Sequence, residues 1–155
     1  MNRVVVVDTS LAIKWVLKEN YSPESLALLD EWRAQPTRML APTLLAFEAT
    51  NVIYRRVGRG GLTLEDARHR LAELLSRAPE LVHEPALHAR AQELAHELGQ
   101  PACYDAHYLA LAEREGCEFW TADERLWNAV RARLTWVRWI GEYRLQPAPQ
   151  SHPGT

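Results

Sequence analysis

The sequence predicts an α/β fold, a three-layer α/β/α sandwich around a central parallel sheet of four to five strands. Short apolar runs alternate with segments of helical periodicity, which favours parallel strands joined by right-handed helical crossovers. The first run, residues 4–7, is four consecutive valines, as in a strand covered on both faces. Hydrophobic residues make up 47% of the 155-residue chain, which is enough for one full core.

Predicted strands and helices alternate along the chain. Strands are expected at residues 4–7, 38–42, 80–84, 117–121 and 134–140. Helices are expected at residues 9–17, 22–34, 43–58, 63–78, 85–98, 103–115 and 122–133. Ser22 and Pro23 suit the N-cap and first turn of one helix, and Pro42 suits the first turn of the next. Thr63 begins a capping-box pattern, and Gly99 is placed to end a helix at C′.

The domain organisation predicted is one domain over residues 1–143 and a disordered tail over residues 144–155, because the tail is rich in proline and has little to bury. No apolar run approaches the length of a membrane span, and the start of the chain is too short for a signal peptide. We therefore expect a cytoplasmic protein with no membrane partner. Cys103 and Cys117 flank one predicted helix, roughly 20 Å apart, so we expect no disulfide between them.

The charge balance leaves the partner open. Eighteen basic and twenty acidic residues give a net charge of −2, which does not by itself indicate a nucleic-acid partner. Sixteen of the basic residues are arginine and two are lysine, which favours bidentate phosphate contacts. The base composition of a genome can produce the same bias, so the local arrangement of charge has to decide.

Four carboxylates are candidates for a functional site. Asp8 and Asp123 follow the first and fourth predicted strands, at the sheet edge where parallel α/β folds bind ligands. Asp105 lies in the first turn of a predicted helix, and Glu48 shares a mixed polar helix stripe with Arg55. Each aspartate has a structural alternative as a helix cap or first-turn acid, and Glu48 has one as a partly exposed surface residue.

A divalent cation would make such a cluster tolerable. Several carboxylates brought together repel one another, and some must protonate at neutral pH unless a cation compensates. Mg²⁺ or Mn²⁺ suits carboxylates, and either ion can lower the pKa of a bound water and polarise a phosphate. Zinc at Cys103 and His107 is the softer alternative, but no second ligand pair is spaced to complete that site. Thr9, Ser10 and Thr121 stand beside the acids, either to orient ligands or to cap helices.

Four segments together resemble the PIN-domain ribonucleases, above all the VapC toxins of bacterial and archaeal toxin–antitoxin pairs. They are DTSLAIKWVLKE (8–19), PTLLAFEATNVIYR (42–55), YDAHYLALAEREG (104–116) and TADERL (121–126), within a match that covers about residues 3–140. The resemblance implies a PIN-like nuclease domain that hydrolyses RNA with Mg²⁺ or Mn²⁺. It also implies that the family's acidic positions correspond to Asp8, Glu48, Asp105 and Asp123.

The resemblance further implies a cognate antitoxin, which inserts a segment near the acidic pocket, and a homodimer. His107 is a mild departure, because the family often has an apolar residue there. Three other functions remain open: an RNA-processing nuclease without a toxin role, a binding module whose carboxylates only cap helices, and a phosphatase-like or receiver-like domain. The last lacks the second aspartate of a D-x-D signature after the first strand.

RNA would have to be held beside a negatively charged pocket. The candidates for phosphate contacts are the basic residues nearest the acidic segments: Lys14, Arg55, Arg56, Arg59 and Arg125. Three tryptophans, Trp15, Trp120 and Trp127, have the chemistry to stack unpaired bases. Their spacing favours packing in the core instead.

Overall fold

The structure is a computed structural model that describes residues 2–77 and 79–147. Its strands are β1 (Arg3–Val7), β2 (Thr37–Pro42), β3 (Glu80–Val82), β4 (Glu118–Thr121) and β5 (Val137–Trp139). Its α-helices are α1 (Thr9–Ala12), α2 (Ser22–Ala34), α3 (Leu44–Gly58), α4 (Leu64–Arg77), α5 (Ala86–Glu97), α6 (Tyr104–Glu115) and α7 (Glu124–Val130). Two 3₁₀ turns complete the described part, at Ile13–Trp15 and Ile140–Glu142.

The five strands form one parallel sheet in the order β3-β2-β1-β4-β5. Along the chain, β2 and β3 are added successively on one side of β1, and β4 and β5 on the other side. The carboxyl ends of β1 and β4 therefore meet at the point where the strand order reverses, which is where open α/β sheets bind ligands. The predicted fold class is confirmed.

Helices cover both faces of the sheet. Val5, Val6 and Val7 are all fully buried, although successive strand residues point to opposite faces. Phe119 stacks on Tyr108 of α6, with ring centroids 6.0 Å apart. The next residue of β4, Trp120, meets Trp32 of α2 edge-on. Because consecutive residues of β4 contact different helices, α6 and α2 lie on opposite sides of the sheet, and the three layers follow.

The predicted helix over residues 9–17 is shorter than expected. It ends as an α-helix at Ala12 and continues as a 3₁₀ turn to Trp15. Leu11, Ala12 and Ile13 are buried in succession, as are the residues from Trp15 to Leu17. A regular α-helix on the surface buries only one face, whereas the tighter turn allows apolar residues on more than one side of this segment to be buried.

Two predicted helix starts are also corrected. Ser22 is the first residue of α2, not its N-cap, because its hydroxyl donates to the Leu17 carbonyl and accepts from the Glu19 amide. Pro42 ends β2, and α3 begins only at Leu44, so this proline is not in the first turn of a helix. By contrast, Thr63 caps α4 as predicted, through a hydrogen bond from the Asp66 amide.

The predicted tail is described only in part. Residues 144–147 have no helix or strand, and residues 148–155 of the predicted tail lie outside the described residues. No helix in the described part is both long enough and apolar enough to span a bilayer. Cys103 and Cys117 are both free thiols.

Candidate active site

The four predicted carboxylates line one cavity of about 340 Å³. Asp8 directly follows β1, and Asp123 follows β4 after one intervening residue. Glu48 projects from the second turn of α3, and Asp105 from the first turn of α6. The structure thus brings together side chains from four elements that are far apart in the sequence. We call this cavity the acidic pocket.

Asp8 is the most enclosed of the four, with 4% of its surface exposed. One oxygen, Oδ1, accepts from the Leu11 amide at 3.1 Å and from Ser10 Oγ at 2.7 Å. The other, Oδ2, accepts from Thr121 Oγ1 at 2.6 Å. Burial raises the pKa of Asp8 to about 7, although these three hydrogen bonds oppose the rise. A neighbouring charge, that of Asp105, raises it further.

Two hydroxyls tie the ends of β1 and β4 together. Ser10 Oγ lies 3.1 Å from Thr121 Oγ1 and accepts from the Ala122 amide at 2.9 Å. Thr121 Oγ1 also accepts from the Asp123 amide at 3.0 Å. Ser10 and Thr121 therefore hold Asp8 and the backbone of Asp123 in one hydrogen-bonded unit. The two hydroxyl residues lie beside the acids that the sequence predicted they would support.

Glu48 is fixed by two neutral donors. Tyr108 OH donates to Glu48 Oε1 at 2.5 Å, and Thr9 Oγ1 donates to the same oxygen at 3.2 Å. Burial raises the pKa of Tyr108, and the Glu48 charge raises it further, so the phenol keeps its proton. Sequence analysis missed Tyr108. Its position three residues after Asp105, on the same face of α6, is the signal that points to it.

The pKa of Asp105 depends on burial and on the charges of neighbouring side chains. Burial raises the pKa of Asp105, the charges of Asp123 and Glu48 raise it further, and Arg125 lowers it. Within residues 2–77 and 79–147, no salt bridge reaches any of the four carboxylates. The four carboxylates are therefore without ion-pair partners among the described residues, although Lys14, which lines the same cavity, pairs with Glu19.

Helix capping is present in addition to this clustering. Asp8 is the N-cap of α1, and Asp123 is the N-cap of α7, where its Oδ1 accepts from the Leu126 amide at 3.1 Å. Asp105 caps nothing, since Cys103 holds the N-cap position of α6. It does, however, lie in the first turn of α6, so the structural alternative is correct as a local description of all three aspartates. It does not account for their facing the same cavity as Glu48.

The donor set suits a hard cation. In the described part of the chain, no three His, Cys, Asp or Glu side chains are grouped to hold a metal ion by themselves. Mg²⁺ in proteins commonly takes one or two carboxylates and completes its shell with water, and this cavity has room for both. Added positive charge would also relieve the repulsion that raises the pKa of Asp105. The residues present therefore fit a hydrated Mg²⁺ or Mn²⁺ ion.

The predicted phosphate contacts divide into two groups. Lys14 and Arg56 both form ion pairs with Glu19, at 3.2 Å for Lys14, and Glu19 itself lines the acidic pocket. Sequence analysis did not single out Glu19. The other three have exposed side chains with no ion pair within the described residues: Arg55, Arg59 and Arg125.

The tryptophans pack inside the fold. Trp15 and Trp127 are 5% and 8% exposed, and Trp15 Nε1 donates to the Ser25 carbonyl. Trp127 stacks on Trp139, and Trp120 meets Tyr143 edge-on as well as Trp32. The sequence-based preference for core packing agrees with these contacts.

The parallel sheet with acids at its switch point defines a class of protein. A family model described as the PIN domain matches residues 5–132, so the chain belongs to the PIN domain family. PIN domains are in general nucleases and typically use divalent metal ions.

Two solved structures are similar to this chain. One is PAE2754 from Pyrobaculum aerophilum, with 22% identity, a TM-score of 0.62, and coverage of 83% of this chain and 87% of that one. The other is VapBC-1 from nontypeable Haemophilus influenzae, with 14% identity, a TM-score of 0.63, and coverage of 90% and 99%. At these identities the likeness establishes the fold. A comparison with curated proteins returned no match.

Proposed function

We propose that this protein is a metal-dependent endoribonuclease, and that it acts as the toxin of a toxin–antitoxin pair. The observation that carries the nuclease proposal is the convergence of Asp8, Glu48, Asp105 and Asp123 on one cavity, where none of the four forms an ion pair within the described residues. Membership of the PIN domain family supports the same conclusion.

In this proposal the four carboxylates hold a hydrated Mg²⁺ or Mn²⁺ ion, one or two of them as direct ligands and the others through its water. When bound, the ion supplies a water of lowered pKa and neutralises charge on the phosphate. Ser10 and Thr121 orient Asp8, while Thr9 and Tyr108 orient Glu48 through the hydrogen bonds described above. These neutral donors fix the carboxylates without neutralising them, which keeps their charge available for the cation.

The reaction is hydrolysis of one phosphodiester bond. A water oxygen bonds to phosphorus, one P–O ester bond breaks, and the leaving ribose oxygen takes a proton. A carboxylate of the pocket accepts the proton that the water loses. Asp105 suits this role because no hydrogen-bond donor engages its side chain within the described residues and its pKa is raised.

Exposed arginines hold the RNA backbone in this proposal. Arg125 lies close enough to Asp105 for its charge to lower the pKa of that carboxyl. Arg55 is seven residues from Glu48 on α3, about 10 Å along the helix and on nearly the same face. Arg59 is the C-cap residue of the same helix. Lys14 and Arg56 join them when RNA displaces Glu19 from its ion pairs.

The toxin role rests on the resemblance of the four sequence segments to VapC toxins and on the structural likeness to VapBC-1. It implies a cognate antitoxin that covers the acidic pocket, a cytoplasmic location and a homodimer. Co-expression with the product of a short adjacent gene tests this role. Growth arrest by the wild-type chain, relieved by that partner and absent for Asp8→Asn, is the expected result. A catalytically active chain that leaves growth unaffected would favour RNA processing instead.

The nuclease proposal is tested by cleavage of labelled single-stranded RNA. Metal-free protein should be inactive, and Mg²⁺ or Mn²⁺ should restore cutting. Asp8→Asn, Glu48→Gln and Asp105→Asn should each reduce cleavage to the level seen with chelator, while circular dichroism shows a folded chain. Asp30→Asn is the matched control, because Asp30 is an exposed acid of α2 outside the pocket.

Calorimetry distinguishes this activity from a module whose acids only cap helices. The nuclease proposal requires Mg²⁺ or Mn²⁺ binding that Asp8→Asn and Asp105→Asn both weaken. A capping-only protein would show no specific binding of either ion. Cleavage that survives Asp8→Asn would show that the reaction takes place elsewhere.

A further inference from the structure

Two exposed aromatic residues are next in sequence to carboxylates of the acidic pocket. Phe47 and Tyr104 expose 74% and 65% of their surface. Phe47 immediately precedes Glu48, and Tyr104 immediately precedes Asp105. We propose that these two rings form a base-binding subsite, on which unpaired bases flanking the cleaved phosphate of a single-stranded RNA stack. The inference rests on the proposed function, because it takes RNA as the substrate of the neighbouring pocket.

Phe47 of α3 and Tyr104 of α6 line one groove of about 300 Å³. Leu44, Val82 and Leu87 contribute apolar side chains to the same groove. Among the described residues, neither ring takes part in a stacked or edge-on aromatic pair, in contrast to the core aromatics. Their faces are therefore open, and every nucleobase has a π-face that can stack on such a ring.

His88 and His107 form a hydrogen-bonded pair that contributes polar atoms to the groove. His107 Nδ1 lies 2.8 Å from the Cys103 carbonyl, which can only accept, so Nδ1 carries the proton. In the neutral ring His107 Nε2 is then an acceptor, and His88 Nδ1 donates to it over 2.9 Å. This leaves His88 Nε2 as an acceptor on an exposed side chain, suited to an amino group on the edge of a base.

Proximity to the acidic pocket favours RNA as the occupant, because α3 and α6 line both cavities. Consecutive Cα atoms are about 3.8 Å apart, so the backbone of each ring residue is adjacent to that of a carboxylate of the pocket. In this proposal a phosphodiester held at Glu48 and Asp105 has its neighbouring nucleotides at the groove.

The size of the groove suits the proposed ligand. A concave site of about 300 Å³ has room for one or two bases.

The test is RNA binding in the Asp8→Asn background, so that the strand stays intact. The probe is a fluorescein-labelled single-stranded RNA oligonucleotide without added metal. Phe47→Ala and Tyr104→Ala should each weaken binding by roughly 5- to 150-fold, the range for loss of one stacked base. Tyr104→Phe keeps the ring and should bind like the parent. Tyr54→Ala is the matched control, since Tyr54 is 62% exposed on the same helix but does not line the groove.

An abasic oligonucleotide of the same length separates stacking from phosphate contacts. It should bind more weakly and should not respond to Phe47→Ala. Equal loss with intact and abasic RNA would overturn the subsite. So would a wild-type dimer that Phe47→Ala or Tyr104→Ala dissociates without changing RNA affinity, because the groove would then be a contact between copies of the chain.

Failure of the subsite and failure of the nuclease give different results. If wild type cleaves RNA with Mg²⁺ and both alanine variants bind and cleave equally well, the subsite is wrong and the nuclease stands. If ring-dependent binding is found but wild type never cleaves, the nuclease is wrong and the subsite stands.

Discussion

Replacing Asp8 with asparagine should stabilise the metal-free protein, and increasingly so as the pH rises. Asp8 is 4% exposed, and burial raises its pKa from 3.8 to about 7. In the unfolded chain this carboxyl is ionised above about pH 4. Folding must therefore either return a proton to it or bury its charge, and both reduce stability. Asparagine keeps the shape and removes the titration.

The size of the effect follows from the pKa shift. For a raised folded-state pKa, the stability contributed by the group is complete below pH 3.8 and is lost as pH rises through about 7. At 1.36 kcal/mol per pKa unit, the cost is about 1.5 kcal/mol at pH 5 and about 4 kcal/mol at pH 8. Any change in packing or hydrogen bonding is common to both pH values. The advantage of Asp8→Asn should therefore grow by about 2.5 kcal/mol between them.

Urea unfolding in the presence of chelator measures this difference. The free energies of unfolding of wild type and Asp8→Asn are compared at pH 5 and pH 8, with tryptophan fluorescence as the signal. For a chain of this size, the expected change corresponds to roughly 5–10 °C in Tm. Asp30→Asn, at an exposed acid of α2, should show no such trend. An advantage of equal size at both pH values would refute a raised pKa for the buried Asp8.

Three further perturbations test the support of the pocket. Tyr108→Phe removes the donor to Glu48 Oε1 and should weaken Mg²⁺ binding by about 10- to 100-fold in calorimetry; an unchanged affinity would mean that Glu48 does not depend on this phenol. Thr121→Val removes the donor to Asp8 Oδ2 and should lower the free energy of unfolding by about 1–3 kcal/mol, as measured by urea unfolding at pH 8. Arg125→Gln should weaken RNA binding and reduce the slope of log Kd against log salt by about 0.7, and a slope equal to that of wild type would exclude a phosphate contact there.

Much of the fold could be predicted because its signals are local. Four valines in a row predict a strand buried on both faces, and Thr63 caps α4 as its capping pattern indicates. The convergence of Asp8 and Asp123 could be predicted too, since both follow strands of a parallel sheet.

The remaining features depend on contacts between distant residues. In the sequence, Tyr108 has the pattern of a core aromatic residue. Only the structure shows that its hydroxyl donates to Glu48, sixty residues earlier in the chain. Likewise, nothing in the sequence pairs Glu19 with Arg56. Phe47 and Tyr104 have the spacing of ordinary helix aromatics, and only the packed structure shows which rings are left outside the core. The short α1 reflects the same principle, because tertiary burial overrides helical periodicity.

The hydrogen bond between Thr121 and Asp8 joins residues 113 positions apart. A ribosome must release most of the polypeptide before these two side chains can meet. Unfinished or proteolytically shortened copies that end before β4 carry no assembled centre. The acidic pocket therefore assembles only after synthesis has passed β4, and the proposed nuclease activity belongs only to copies of the chain that contain both Asp8 and Thr121.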